Sequence, residues 1–171
     1  MRVHIMQMVA TMQGPLPYTK VSNGEYSVGY DNEETAWKAM VDDLDYSIGV
    51  LTSLMNTDPG FNELTTEDRV YGGDYKLWIK FANSLKLRIA IRISGVADTY
   101  AQRIAEEAVS HPYGVMDSNA SDAYDIITNT NYKNGLASVN DWKEVRANAC
   151  IVSFMNGYQD PRRSSYFTQA S

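Results

Sequence analysis

Few residues of this 171-residue chain have the types and spacing that catalysis or metal binding requires. The sequence contains no glycine-rich phosphate loop, no His-Glu-x-x-His motif and no Gly-x-Ser-x-Gly nucleophile turn. Its two histidines, His4 and His111, leave little for a metal or acid–base centre, and its one cysteine, Cys150, excludes an internal disulfide. The residue types therefore predict no catalytic residues, no metal ligands and no cofactor.

Two groups of acidic residues could nevertheless be read as sites. Asp42-Asp43-Leu44-Asp45 places three carboxylates on one helix, but they point in different directions, so a solvated face is the better interpretation. Residues 117–121 have the oxygen spacing of the start of a calcium loop. Position six of such a loop is Asp122 and not glycine, and position twelve is Thr128 and not glutamate, so calcium binding is the less favoured alternative.

Aromatic side chains are the clearest functional hint in the composition. Twelve tyrosines and three tryptophans are enough to stack on sugar rings or other flat apolar faces. Trp37 and Trp78 lie on apolar helical stripes and are predicted to be core residues, whereas other aromatic residues lie in or just after a long polar stretch. The candidate ligand-binding residues are Tyr124, Asn131, Tyr132 and Trp142.

The charge balance excludes some classes of partner. Fifteen basic and 21 acidic residues give a net charge of −6, which argues against nucleic acid as a partner. No apolar run approaches the roughly 20 residues that a membrane-spanning helix needs. Five basic residues are expected to pack their stems and form salt bridges, and not to build a nucleic-acid patch. These residues are Lys76, Lys80, Lys86, Arg88 and Arg92.

Apolar residues recur at spacings of three and four, which predicts helices. The predicted helices are residues 2–13, 33–55, 75–94 and 98–109, and a last one opened by Asp141 and Glu144 that ends before Gly157. Residues 19–32 and 115–140 are predicted to be irregular. The expected caps and capping boxes start at Asp31 (with Glu34), Asp74, Asp98 and Asp141.

The pattern predicts a mainly α fold of antiparallel helix pairs, similar to a tetratricopeptide α–α superhelix with long irregular loops. Helix 75–94 carries apolar residues on two surfaces, so it is expected to lie between two neighbours. Helix 98–109 presents small inward residues that permit close packing, and Cys150 is expected in the core. No segment alternates convincingly enough to predict a strand.

One ordered set of motifs resembles the SusD/RagB family. Residues 71–88, Tyr-Gly-Gly-Asp-Tyr-Lys-Leu-Trp-Ile-Lys-Phe-Ala-Asn-Ser-Leu-Lys-Leu-Arg, are similar to the signature helix of that family. Gly14-Pro15-Leu16-Pro17-Tyr18-Thr19 is similar to its Gly-x-Pro-Tyr turn, and the segment from Asp42 to Leu51 to its Asp-Leu-Asp helix. Residues 156–162 resemble its Asp-Pro-Arg segment.

The resemblance implies a helical, non-catalytic binding lipoprotein at the outer-membrane surface of a Gram-negative bacterium. It further implies that such a protein closes over a SusC-like TonB-dependent transporter and delivers oligosaccharides or, in some members, peptides. The motif residues Trp78, Asn83 and Arg88 are then structural. The alternative is a tetratricopeptide-like protein-interaction scaffold without a small-molecule ligand, and an enzyme is the third alternative.

The resemblance also implies that residues 1–171 form a single region, the central part of a SusD-like protein. The lipid anchor of the family would then lie outside this chain, and residues 1–171 themselves would be soluble. We expect the apolar faces of helices 2–13 and 75–94 to lack part of their partners and to be exposed.

Overall fold

The computed structural model describes residues 1–21, 24–125, 135–143 and 145–167. These residues form helices and turns without a strand, which confirms the mainly α fold class. The helices are α1 (Arg2–Gln13), α2 (Glu33–Thr57), α3 (Tyr75–Ile93), α4 (Asp98–Ser110), α5 (Gly135–Asp141), α6 (Ala149–Gly157) and α7 (Arg163–Tyr166). The chain divides into two compact units, Met1–Asp125 and Ile126–Ser171. The single-region organisation stays a prediction.

In the first unit, the helix starts confirm one predicted cap and correct two. Asp74 caps α3 as predicted, because its carboxylate accepts the N–H groups of Lys76 and Leu77. The cap of α2 is Asn32, whose side chain accepts the N–H of Thr35.

Asp31 was therefore wrongly predicted as a cap. Its buried carboxylate instead accepts the N–H and hydroxyl of Thr19, while Glu34 pairs with Lys38. Asp98 is likewise the first helical residue of α4 and not its cap, which is Ala97. Short-range sequence patterns locate a helix start. They do not show which of two neighbouring polar residues caps the helix and which one bonds to a residue elsewhere in the chain.

Helix α3 lies between α2 and α4, as its two apolar surfaces predict. Trp37 is buried on α2, and α4 contributes three of its predicted inward residues, Ala101, Ile104 and Ala108. The small side chains on α4 let the backbones of α3 and α4 approach each other closely. The largest fully buried side chains are Tyr18, Met40, Val41, Ile79, Asn83, Ile89, Ile104 and Ser121, all in the first unit.

A buried lysine joins these three helices. The ammonium of Lys86 on α3 donates to Asp45 of α2 at 2.6 Å and to Glu107 of α4 at 2.8 Å. The hydrogen bond from Lys86 lowers the pKa of Glu107 despite partial burial. Asp45 is exposed, as predicted for a solvated acidic face, but its carboxylate also pairs with Lys86, and the carboxylate of the half-buried Asp43 accepts the Tyr18 hydroxyl.

Helix α1 contacts α2 and ends at Gln13. Its C-cap is Gly14, whose φ of 81° is a left-handed conformation that suits glycine, and Pro15 comes next in the chain. Val3, Gln7 and Ala10 are its buried residues. The opposite face is an exposed apolar stripe, as expected from the sequence, and it comprises Ile5, Met8, Val9 and Met12. The expected exposure of an apolar face is only partly seen in α3. Ile91 is exposed there, but Leu77 and Leu87 are half-buried.

The second unit differs most from the sequence prediction. Part of the stretch predicted to be irregular is helix α5, and the last long helix begins at Ala149, capped by Asn148, and not after Asp141. Glu144, the predicted partner in that capping box, lies outside the described residues. Cys150, which is expected in the core from the sequence, is exposed because it lies in the first turn of α6. Trp142 and Val145, which precede α6, are exposed as well.

We predict that Lys86→Met destabilises the protein. The substitution keeps the aliphatic stem but removes the two charged hydrogen bonds between helices, so the free energy of unfolding should fall by about 1–3 kcal/mol. Urea denaturation measures this change. Lys76→Met, at an exposed position of the same helix, is the matched control and should stay within about 0.5 kcal/mol of the parent. Equal stability of the two variants would contradict the structural role of Lys86.

Candidate ligand-binding surface

The connection between α2 and α3 is organised around Asp68. Its carboxylate accepts the backbone N–H groups of Val70, Tyr71 and Gly73, and the indole N–H of Trp78 at 2.7 Å. Although partial burial opposes ionisation, these four donors lower the pKa of Asp68. Asp68 therefore fixes the polypeptide just before α3 as a charged acceptor, a role that the sequence motifs do not reveal.

Gly73 is required in this connection for steric reasons. Its φ of 83° lies in the left-handed region, which disfavours any side chain, and an added Cβ atom would also crowd the Asn62 side chain and the backbone nitrogen of Thr65. The preceding glycine, Gly72, also has a positive φ of 59°. The two glycines of the motif thus serve the backbone path and not a ligand.

The segment after α4 is attached to α3 by polar contacts along its length. Asn83 donates to the carbonyl of Gly114 at 2.9 Å, the hydroxyl of Ser84 accepts the N–H of Met116, and Lys80 pairs with Asp117. Asn83 is almost fully buried, which agrees with the structural role expected of it. These contacts fix the direction in which the chain leaves α4.

Tyr124 projects from the end of that segment. The hydroxyl of Tyr71 donates to the carbonyl of Ser121 at 2.8 Å, and Arg69 pairs with Asp125 at 2.9 Å. Tyr124 lies between these two attachments and is 62% exposed. The structure therefore presents the first candidate aromatic side chain to solvent on a backbone that is held on both sides.

Trp142 is the candidate residue described in the second unit. It follows the last residue of α5, and its backbone N–H donates to the carbonyl of Ser138. Its side chain is 66% exposed. The next residue, Lys143, has a φ of 59°, and Arg146 donates to its carbonyl. The remaining two candidates, Asn131 and Tyr132, lie outside the described residues.

The second unit also presents an aromatic pair that the sequence interpretation did not single out. Phe154 and Tyr158 are one helical turn apart, their ring centroids are 4.6 Å apart, and both are exposed. The same unit has an open cavity of about 530 Å³, lined by amide, carboxylate, guanidinium and hydroxyl groups, to which neither ring of the pair contributes. The sequence signal that could have predicted this pair is the spacing of four residues between Phe154 and Tyr158, which places two side chains on the same face of a helix. The lining residues include Asn156, Gln159, Asp160, Arg163, Ser164 and Phe167.

The Asp-Pro-Arg segment beside this cavity is held by its own charge pair. Arg162 donates through its guanidinium and its backbone N–H to Asp160. The guanidinium contact and the backbone contact lower the pKa of Asp160 to about 2. Asp160 is thus a permanently ionised carboxylate at neutral pH, and its oxygens are engaged within the segment.

The part of the chain that the structure describes contains neither a metal-binding cluster nor a membrane-spanning helix. Among residues 1–21, 24–125, 135–143 and 145–167 there is no cluster of three or more His, Cys, Asp or Glu side chains arranged to hold a metal ion. Asp117, the first residue of the calcium-like stretch, has its pKa lowered by its hydrogen bond from Lys80. None of the described helices has the length and apolar character that crossing a bilayer requires.

Sequence comparison identifies the family. All of residues 1–171 match the SusD-like family model, described as Susd and RagB outer membrane lipoprotein. The chain therefore belongs to the SusD-like family, which confirms the resemblance seen in its motifs. Among curated proteins, none is significantly similar to the chain.

Solved structures agree with the family and with the fold. A SusD-like protein from Bacteroides thetaiotaomicron is 53% identical with a TM-score of 0.86, covering 98% of this chain and 34% of its own. A chitin-binding SusD homolog from Flavobacterium johnsoniae is 32% identical with a TM-score of 0.92, covering 99% of this chain and 35% of its own. The chain therefore spans about a third of the length of these solved structures.

We predict that Tyr71→Phe loosens the segment that carries Tyr124. Loss of the hydroxyl leaves the Ser121 carbonyl without this donor, so amide hydrogen exchange at residues 119–125 should accelerate. The free energy of unfolding should fall by about 0.5–1.5 kcal/mol. Tyr46→Phe, at an exposed tyrosine of α2, is the control and should change neither quantity. Unchanged exchange at residues 119–125 in Tyr71→Phe would show that this bond does not hold the segment.

Proposed function

We propose that this chain belongs to a cell-surface protein that binds oligosaccharides without catalysis and delivers them to a TonB-dependent outer-membrane transporter. The observation that carries the proposal is the match of the whole chain to the SusD-like family, together with a chitin-binding homolog that is 32% identical. Because the chain spans about a third of the length of the relatives, the proposal concerns the protein of which these residues are a part.

Exposed aromatic side chains support an oligosaccharide as the ligand. The faces of pyranose rings are apolar and stack on tyrosine and tryptophan, while their hydroxyl groups need a few polar partners. Tyr124 and Trp142 each offer more than half of their surface to solvent. We propose these two residues, with Asn131 and Tyr132, as parts of the binding site.

Attachment to the membrane is proposed to occur through a lipid anchor outside residues 1–171. The family description as an outer membrane lipoprotein supports this location. The described residues provide no spanning helix of their own, and their contribution to uptake would be to hold the ligand near the transporter. The partner proposed on this basis is a SusC-like transporter.

The binding proposal is tested by titrating the complete natural polypeptide with a panel of oligosaccharides that includes chitin fragments. For a ligand that the parent binds, Trp142→Ala and Tyr132→Ala should each weaken binding by about 1–3 kcal/mol, the scale of a stacking anchor. Tyr124→Ala should act in the same direction. Isothermal titration calorimetry measures the affinities.

Tyr26→Ala is the matched control, because Tyr26 is a fully exposed tyrosine outside the proposed site. Its affinity should equal that of the parent. If Trp142→Ala, Tyr132→Ala and Tyr124→Ala all bind as tightly as the parent, these three residues are not part of the site. Binding of peptides but of no oligosaccharide in the panel would overturn the proposed ligand and favour the peptide-binding alternative.

The partner proposal is tested separately by affinity purification of the complete polypeptide from its native outer membrane. We expect a TonB-dependent transporter to copurify in an amount comparable with the bait. Recovery of soluble protein partners without a transporter would favour the interaction-scaffold alternative. This outcome is independent of the oligosaccharide titration, so the two parts of the proposal can fail separately.

A further inference from the structure

A half-buried histidine connects the end of α4 with α2. His111 directly follows the last residue of α4, and its Nε2 lies 3.3 Å from the Thr52 hydroxyl oxygen of α2. Its Nδ1 accepts the backbone N–H of Tyr113 at 3.3 Å. The rings of His111 and Tyr113 are also stacked, with centroids 5.9 Å apart. One imidazole thus contacts both α2 and the first residues after α4.

These contacts require a neutral ring in one tautomer. A ring nitrogen that accepts a hydrogen bond carries no proton, so the proton of the neutral imidazole lies on Nε2 and is donated to Thr52. In the imidazolium both nitrogens carry protons, and Nδ1 then opposes the Tyr113 N–H instead of accepting it. Protonation of His111 therefore removes one of its two hydrogen bonds.

The charges around His111 also act against its protonation. Burial and the charge of Lys86 on α3 lower the pKa of His111. The two carboxylates nearest this ammonium, Asp45 of α2 and Glu107 of α4, already bond it at 2.6 Å and 2.8 Å. Tyr113 is the other titratable side chain in contact with the ring. A positive charge on His111 would therefore be added beside the lysine that joins the three helices.

The backbone held by His111 is a sharp turn. Gly114 has a φ of 67° and donates its N–H to the His111 carbonyl at 2.7 Å. Asn83 and Ser84 of α3 bond the Gly114 carbonyl and the Met116 N–H. The imidazole adds a contact with α2 to these attachments to α3, so the state of the ring bears on how firmly the segment after α4 is held.

We propose that His111 is a pH-sensitive switch whose neutral ring attaches residues 111–114 to α2 and whose protonation releases this turn. Because the pKa of His111 is lower in the attached turn than in a released one, protons favour the released turn. The stabilisation is complete above pH 6.5, the ordinary histidine value, and is lost as the pH falls from there towards the lower pKa of the folded protein. The inference does not depend on the oligosaccharide-binding function.

The experiment measures amide hydrogen exchange of the complete natural polypeptide at about pH 7.5 and about pH 5, on either side of the histidine titration, corrected for the intrinsic exchange rate. The test variant is His111→Asn, because an asparagine carbonyl can accept the N–H two residues later but does not titrate. His4→Gln is the matched control, because it removes the other histidine of residues 1–171, which contacts Phe81 and not this turn. Circular dichroism at both pH values confirms that each variant is folded.

In the parent and in His4→Gln, the protection of the amides of residues 113–116 should fall by about threefold or more at the lower pH. In His111→Asn it should change by less than about twofold, because the acceptor of the Tyr113 N–H no longer titrates. Protection that is independent of pH in the parent overturns the proposal. An equal fall in His111→Asn also overturns it, since another group must then be responsible.

A second measurement is nitrogen-15 NMR of the histidine-labelled polypeptide, in which the His111 signals are identified by their loss in His111→Asn. At about pH 7.5 the ring should be the Nε2–H tautomer, and its pKa should lie below the ordinary value of 6.5. The Nδ1–H tautomer, or a pKa at or above that value, would overturn the proposal whatever the exchange data show.

Discussion

The first unit depends on one buried ammonium group. Lys86 extends from α3, the helix that lies between α2 and α4, and donates to a carboxylate on each neighbour. A buried charge without partners would cost several kcal/mol, so the register of the three helices that brings Asp45 and Glu107 to this point is favoured. Apolar contacts supply most of the packing energy, but they tolerate small shifts of one helix past another. The lysine makes such shifts unfavourable.

The position of Tyr124 follows from this fixed arrangement through a short series of polar contacts. Asp68 fixes the backbone before α3, Tyr71 in that backbone donates to Ser121, and Ser121 lies three residues before Tyr124. Asn83 and Ser84 on α3 attach the same segment closer to α4. An exposed aromatic side chain on a rigid backbone loses little conformational freedom when it stacks on a ligand, which is how such contacts contribute affinity.

The surfaces of the molecule divide into two chemical types. The connections carry exposed aromatic residues, Tyr124 and Trp142, which suit stacking on a ligand. Helix α1 instead presents an exposed stripe of aliphatic side chains, Ile5, Met8, Val9 and Met12, which offers no flat ring for stacking.

The sequence by itself determined the family, the helical fold class and the first four helices, because regular apolar periodicity and ordered motifs are local properties of the chain. It also indicated that α3 is packed on two sides. Tertiary structure decided the cap of α2, because the Asp31 carboxylate bonds to Thr19 and leaves Asn32 as the cap. It also decided the partners of Asp43 and Asp45, which lie on other elements. It also decided the exposure of Cys150, Trp142 and the Phe154–Tyr158 pair. Periodicity shows which residues share a helical face, but only the packed chain determines which faces are covered.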